Sequence, residues 1–552
     1  MKIYALILLT VFLVLSTFYR FKYINPRYDE GGAIQTILSA KYYNELEVYN
    51  QMWDERIDLT KCDNTFIKKY SFDVLPYVIV PIRWTYAVSV YPFITLLIDD
   101  NDSLEVIKIK GFFLFAVFNV VGFVFLGFLL IKHFNISFLG YVFIGLVISL
   151  GVDYLHYARS ATTYAFLTLG VAIQLWAIKS ICRVVNVNTK MHRKVFYFSV
   201  LTYCAAVILN HQFIVTGPFL ALLILWLYYQ KKIDKELFFK SLIIVLIVFV
   251  GDIYFLKLRS EVLGLHLNPG QNVLSNGING EYSLSNYKGI FRKLIYFFYN
   301  IPIFIFYTLT GFYDPKLRHF ALISGFLFLV FWISFLFYFR QKLILGVRTN
   351  RFFHLKISNS HLLIYYVFVN IFVFILLILL GRLNLSPTRH SLLFSILACI
   401  AIAKFSQYLP GRIKLIFFLI CFCCLLTSTL MNIPLEYKKS FFVERDLIEY
   451  AKKNKINYLV LQRCWIQPLL SNKVNRKFDV IYRCGPRVWS VKKDLGDKFL
   501  YLAESSEAER YRQSYFESLF KSNFSFKCTD SIYSLNKEGS EYRVYLYEKV
   551  EP

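Results

Sequence analysis

Apolar stretches of about 20 residues recur along almost the whole of this chain, the length a helix needs to cross roughly 30 Å of hydrocarbon at about 1.5 Å rise per residue. After a first one over 3–18, the clearest cover about 110–132, 136–152, 157–179, 195–210, 212–230, 241–256, 320–339, 361–380, 389–409 and 414–432. A soluble protein would have to bury all of them in one core, and single cores stop growing at about 250–300 residues. Of the 552 residues, 57% are hydrophobic and 19% aromatic, above the ~45–50% apolar content of ordinary soluble domains. The expected fold is an all-α polytopic membrane bundle, because hydrocarbon leaves each backbone group to be satisfied inside its own helix. The first stretch starts after Lys2 as a signal peptide would. No small-residue cleavage site follows, so it is read as an uncleaved helix.

Charge orients the bundle. A net charge of +26 would suit a nucleic-acid partner, but the cations sit in short loops between apolar runs, as the positive-inside rule requires. No nucleic acid is expected. Arg183, Lys190, Arg193 and Lys194 mark one such loop, Lys231, Lys232, Lys235 and Lys240 a second, and Arg340, Lys342, Arg348, Arg351 and Lys356 a third. Arg412 and Lys414 mark a fourth. All four face the cytoplasm together only if the apolar stretches near 75–98 and 292–311 lie along the outer surface or dip into it. The count is then about 11 spans. Tyr70, Gly280 and the tail fall outside, Val187 and Asn350 inside.

Residues 1–432 form the expected transmembrane domain, and 433–552 a small extracytoplasmic α/β domain. In the tail charged residues return, helical spacing over Phe442–Asn454 leads into Tyr458-Leu459-Val460-Leu461, and Tyr542–Tyr547 reads as a strand. Cys62, Cys464, Cys484 and Cys528 lie on the side that permits disulfides, and Cys464–Cys484 is the favoured pair. No CxxC or HExxH metal spacing occurs.

The chemistry-bearing residues cluster on the outer side of this topology. Arg27-Tyr28-Asp29-Glu30-Gly31-Gly32 follows the first helix closely, at a membrane exit. Such a carboxylate pair can work on something held in the lipid, although a solvated juxtamembrane pair or the first-turn acids of a surface helix have the same sequence. Asp153 occupies a short outer turn, Gly151–His156, and reads equally as a second acid of the site or as a solvated turn residue. Arg159 lies a turn into an expected helix, where charge usually faces protein or a water-filled cavity. Arg389 is nearer an edge and could instead snorkel. Lys108 and Lys110 flank a helix start, where a lipid-phosphate contact competes with interfacial anchoring. Asn210-His211-Gln212 reads as a polar outer turn.

Taken in order, these segments resemble the GT-C superfamily of polytopic glycosyltransferases, in particular bacterial members near the protein O-mannosyltransferases and the aminoarabinose transferases. Tyr28-Asp29-Glu30 resembles the acidic opening of that group's first outer loop, and Val90-Tyr91-Pro92-Phe93 its later aromatic stretch. Tyr157-Ala158-Arg159 through Tyr164-Ala165 resembles its Ala-Arg helix start. Pro387-Thr388-Arg389-His390 resembles a Pro-x-Arg-Tyr start, with His390 in place of Tyr. The likeness covers roughly 1–410 and leaves the tail without a signature.

The resemblance implies an inverting transferase in a bacterial cell membrane, acting on its extracytoplasmic side. A polyprenyl-phosphate sugar would be the donor, and an envelope glycan, lipid or protein the acceptor. Asp29 is the expected general base, since the acceptor hydroxyl must lose its proton as it attacks the anomeric carbon. Three roles are open to Glu30: orienting Asp29, raising its pKa by like charge, or binding a divalent metal ion. Asp153 is the third catalytic candidate. The leaving phosphate needs cations, and an Arg fork matches it in two places at once. Arg159 and Arg389, with Tyr157, His390 and Lys110, are the expected substrate-binding set. Three rivals stand beside this reading: a lipid-linked glycan polymerase or ligase, a transporter of envelope precursors, and a non-catalytic membrane scaffold, which would need none of these outer-face acids and arginines. The first would more often place its main loop late in the chain, and the second would want paired repeats or broken helices.

Overall fold

The computed structural model describes residues 2–23, 104–150, 163–185, 190–262, 359–379 and 392–439, most of 450–461, and 479–482, 498–504, 525–534 and 542–550, with isolated residues at 96, 97, 99, 319, 322 and 323. The chain divides into two compact units. The first comprises Met1–Thr17, Ala116–Arg159 and Thr163–Asn432, the second Phe18–Phe115, Ser160–Thr162 and Ile433–Pro552.

The first unit is built from helices α1 (Lys2–Tyr23) as far as Thr17, α2 (Leu104–Lys132) from Ala116 on, α3 (Phe138–Leu150), α4 (Leu167–Val185) and α5 (Lys190–Leu209). It continues with α6 (Gly217–Tyr229), α7 (Lys235–Val262), α8 (Asn359–Leu379), α9 (Leu392–Phe405) and α10 (Gly411–Lys439) as far as Asn432. Short 3-10 turns over Thr163–Phe166 and His211–Thr216 lead into α4 and α6. Among the described residues, four stretches are long and apolar enough to cross a membrane: Phe113–Lys132, Leu167–Val185, His211–Tyr229 and Lys235–Tyr254. The chain is a helical membrane protein. Its outward side chains agree, since Phe128, Phe198, Ile247, Ile253 and Phe372 are exposed on the helices, as lipid-facing residues are.

The helices begin where short polar side chains can hold their free N–H groups. Ser137 Oγ accepts from Gly140 N at 3.2 Å to start α3. Asp234 Oδ1 accepts from Leu237 N at 2.8 Å to start α7, with Glu236 in the first turn against the positive end of the helix dipole. Between α2 and α3 the chain reverses in a few residues through Asn135, at φ 50°. Asn tolerates that left-handed conformation better than most residues. Lys404 secures the turn from α9, its buried ammonium donating to Phe134 O at 3.1 Å and Asn135 O at 3.4 Å.

Contacts fix which way the helices run. Asn119 meets Thr168, Gly122 meets Leu169 and His133 meets Lys179, so α2 and α4 are parallel neighbours. Their approach depends on Gly122, where a Cβ would stand 2.5 Å from the Leu169 backbone nitrogen. Small residues allow this between membrane helices, whose association relies on packing because lipid is as apolar as the side chains. Leu6 lies level with Gly127 and Leu9 with Gly145, so α1 climbs alongside α3. One end of the unit therefore collects the N-termini of α1, α3, α5 and α7 and the C-termini of α2, α4, α6 and α9. We call it the basic end, because Lys132, Lys179, Arg183, Arg193, Lys231, Lys232, Lys235 and Lys404 all belong to it. The far end collects the C-termini of α3, α5 and α7 and the N-termini of α4, α6 and α9.

Helix positions follow the hydropathy closely except at the segment expected over 157–179. There the α-helix runs from Leu167 and continues to Val185. Arg183, read as loop, is helical and sits in the last turn, where the dipole favours a cation. The apolar stretches near 75–98, 292–311 and 320–339 lie wholly or mostly outside the described residues.

The second unit contains a five-stranded sheet in the order β2-β1-β3-β5-β4, from β1 (Tyr458–Leu461), β2 (Asp479–Tyr482), β3 (Lys498–Glu504), β4 (Ser525–Ser534) and β5 (Tyr542–Val550). β1 pairs parallel with β2 and β3, whereas β5 pairs antiparallel with β3 and β4. Phe499 and Leu500 are both fully buried. Successive strand residues point to opposite faces, so central β3 is covered on both sides. β4, at an edge, carries register shifts between Cys528 and Asp530 and between Ser531 and Tyr533. Such bulges blunt an edge against pairing with another chain.

Candidate functional site

Lys110 is the expected site residue that the structure describes. It is about a quarter exposed, and its ammonium stands 3.1 Å from the carboxylate of Asp99, which is 78% exposed. An exposed pair of this kind contributes about 0–1 kcal/mol, so Asp99 does not prevent Lys110 from meeting a phosphate. Asp29, Glu30, Asp153, Tyr157, Arg159, Arg389 and His390 lie outside the described residues, as does the Cys464–Cys484 pair. The described elements that flank five of them have their nearer termini at the far end. α3 stops at Leu150 and the 3-10 turn before α4 starts at Thr163, and α9 starts at Leu392.

The far end leads down into a buried polar layer. Tyr366 Oη donates to Gln174 Oε1 at 2.7 Å, and Gln174 Nε2 donates to Thr216 Oγ1 at 2.7 Å. Thr216 Oγ1 donates onward to Phe213 O at 2.6 Å, and Tyr203 Oη donates to Thr216 O at 2.9 Å. Nearer the end, Asn210 Oδ1 accepts from Gln212 N at 2.8 Å, capping the 3-10 turn. Gln212 Oε1 accepts from Leu393 N at 3.2 Å, meeting one of the free N–H groups at the start of α9. Tyr366, Gln174, Thr216, Tyr203 and Asn210 are fully buried. In a dry interior each bond is costly to leave unmade, at about 1–3 kcal/mol per orphaned group. The layer thus ties α4, α5, α8, α9 and the turn between α5 and α6 into one arrangement.

Asn210-His211-Gln212 does form a polar turn, but Asn210 and Gln212 are buried and hydrogen-bonded among the helices. Two side chains of the far half stand apart. Asn370 is fully buried and approaches the Tyr203 hydroxyl. No hydrogen bond of ordinary geometry joins its amide to a described residue. Asp252 is 4% exposed, and neither carboxylate oxygen has a hydrogen-bond partner among the described residues. It lies one turn beyond Phe249, whose ring meets Gly217 at the start of α6. Gln174, Tyr366, Asn370 and Asp252 were legible only as isolated polar residues inside apolar runs. That signal marks functional or network positions in membrane helices.

Among the described residues no three His, Cys, Asp or Glu side chains come together as a metal centre. Cys204, Cys399 and Cys423 are free thiols. No family model matches the chain, and no curated protein matches it either.

Proposed function

We propose that the chain is a multi-pass, inverting glycosyltransferase of GT-C type. It transfers a sugar from a polyprenyl-phosphate donor to a cell-envelope acceptor on the extracytoplasmic face of a bacterial membrane. The observation that carries this reading is the polarity of the helical unit. The cations that should face the cytoplasm gather at one end. The described helices flanking the segments that contain Asp153, Tyr157, Arg159, Arg389 and His390 have their nearer termini at the other end. α1 starts at the basic end and runs towards the far end.

Asp29 takes the proton of the acceptor hydroxyl while that oxygen forms its bond to the anomeric carbon. The bond to the leaving phosphate breaks on the opposite side, which inverts the centre. Arg159 and Arg389, with Lys110, meet the phosphate charge, and Tyr157 and His390 flank the same group. The tail 433–552 is an extracytoplasmic α/β domain that shapes acceptor access. Its buried β3 and its parallel strands, which need crossover connections, support a layered domain.

A transporter of envelope precursors is the second reading, and Asp252 favours it, since a buried membrane carboxylate is a usual proton carrier. One experiment separates the two. The purified protein is given a polyprenyl-phosphate sugar and an envelope extract, and the products are read by mass spectrometry. Covalent sugar transfer supports the enzyme, whereas donor flux across reconstituted vesicles without transfer supports the transporter.

A further inference from the structure

The basic end holds a cluster of positive groups that the proposed reaction does not use. Lys132 ends α2, His133 follows it, and Lys179 and Arg183 occupy the last two turns of the neighbouring parallel helix α4. His133 Nε2 and Lys179 Nζ stand 2.7 Å apart. Lys132 lies over the Phe128 ring at 5.1 Å, and that ring also takes the edge of His133 at 5.9 Å. Arg183 and Lys132 both act electrostatically on Lys179.

Four groups that can carry positive charge thus converge, and among the described residues no carboxylate joins them. Two described acids of this end are engaged elsewhere. Asp234 caps α7 and pairs with Arg193, while Glu236 takes Arg193 at 3.5 Å and Lys240 at 2.6 Å. Lys404 is turned to the carbonyls of Phe134 and Asn135. Helix dipoles account for Lys132 and Arg183, which lie in last turns. They do not account for Lys179, about 9 Å short of the end of α4, beyond the single turn over which the dipole acts. Burial, Lys179 and Lys132 push the His133 imidazole below its ordinary 6.5. A bound anion would offset the repulsion that Lys132 and Arg183 exert on Lys179.

We propose that Lys132, His133, Lys179 and Arg183 form a binding site for a phosphate-bearing anion at the basic end, filled by the head group of an anionic phospholipid. The chemistry is a phosphate monoanion held by ammonium and guanidinium donors, with the imidazole as a further donor. Its depth is that of the head-group layer, where Lys and Arg at membrane-helix ends reach the interface. The site is independent of the reaction at the far end.

The test uses the full-length protein, delipidated in a neutral detergent and examined by native mass spectrometry. The probes are phosphatidylglycerol, phosphatidylcholine and inorganic phosphate. The expected result is at least a tenfold preference for phosphatidylglycerol over phosphatidylcholine, displaced by inorganic phosphate only at far higher concentration. Lys179→Gln with Arg183→Gln should abolish the preference, whereas Lys231→Gln with Lys232→Gln, in the neighbouring turn, should keep it. If the first pair fails to fold, Lys132→Gln with His133→Gln tests the same site from α2, and Lys179→Arg should retain binding. An unchanged preference in the charge-removing variants overturns the site. Retention of inorganic phosphate without phosphatidylglycerol overturns the lipid assignment.

Discussion

The two ends of the helical unit handle polar groups in opposite ways. At the basic end, apart from Lys404, buried against the Phe134 and Asn135 carbonyls, charges cap helices and form exposed pairs such as Arg193 with Asp234 and Lys240 with Glu236. Towards the far end, uncharged amides and hydroxyls go inward and bond to one another across four helices and a turn. The first arrangement is cheap to disturb, because water and head groups replace what is lost. The second is not, since an orphaned partner finds no water. The difference shows which end holds a fixed geometry: the polar layer ties α4, α5, α8 and α9 together towards the far end, and the proposed chemistry would need helix ends fixed to a fraction of an ångström.

Sidedness gives the largest contrast. In a background with Cys62, Cys464, Cys484 and Cys528 changed to Ser, Gly280→Cys should react with a membrane-impermeant maleimide in intact cells and Val187→Cys should not. Labelling of Val187→Cys would reverse the assignment of the two ends. Next in size are Arg159→Ala and Arg389→Ala, each expected to lower kcat/KM about 10–100-fold, the loss of a charge-assisted bond to phosphate. Both KM and kcat should change, because the phosphate is charged before and during transfer. Lys should rescue only partly, having no planar fork.

Smaller effects test the packing. At Gly170 an added Cβ would stand 2.3 Å from the buried Phe213 ring, so Gly170→Ala should destabilise the protein by about 1–3 kcal/mol, the usual cost of overpacking. Thermal unfolding in detergent reads it. Tyr366→Phe removes the donor to Gln174 and should cost about 1–2 kcal/mol by the same measurement. Lys110→Gln, breaking an exposed pair, should change stability by less than about 1 kcal/mol. A larger loss from Lys110→Gln than from Tyr366→Phe would break the comparison.

The helices were largely legible because hydropathy and helix length are set by the same hydrocarbon thickness. α2, α3, α5, α6, α7, α8, α9 and α10 begin or end within several residues of the apolar runs that announce them. The slip at α4 has a physical cause, since Arg183 ends a run of apolar residues yet favours rather than stops a helix C-terminus. Strand β1 stood out over Tyr458–Leu461 and β5 over Tyr542–Tyr547, short of its end at Val550. The polar layer was not legible, because Gln174, Tyr366 and Gln212 lie far apart in sequence and only packing joins them. For Asp29 and the residues grouped with it, the sequence remains the ground of the argument.

The account turns on Asp29. The measurement is sugar transfer from a polyprenyl-phosphate donor to an envelope acceptor, by purified wild-type and Asp29→Asn protein of equal thermal stability, across a range of donor concentrations. The amide keeps the shape but cannot accept the proton. The predicted result is a fall in kcat of about 10²–10⁴-fold with KM for the donor little changed. Turnover close to wild type in Asp29→Asn would contradict the assignment of the base.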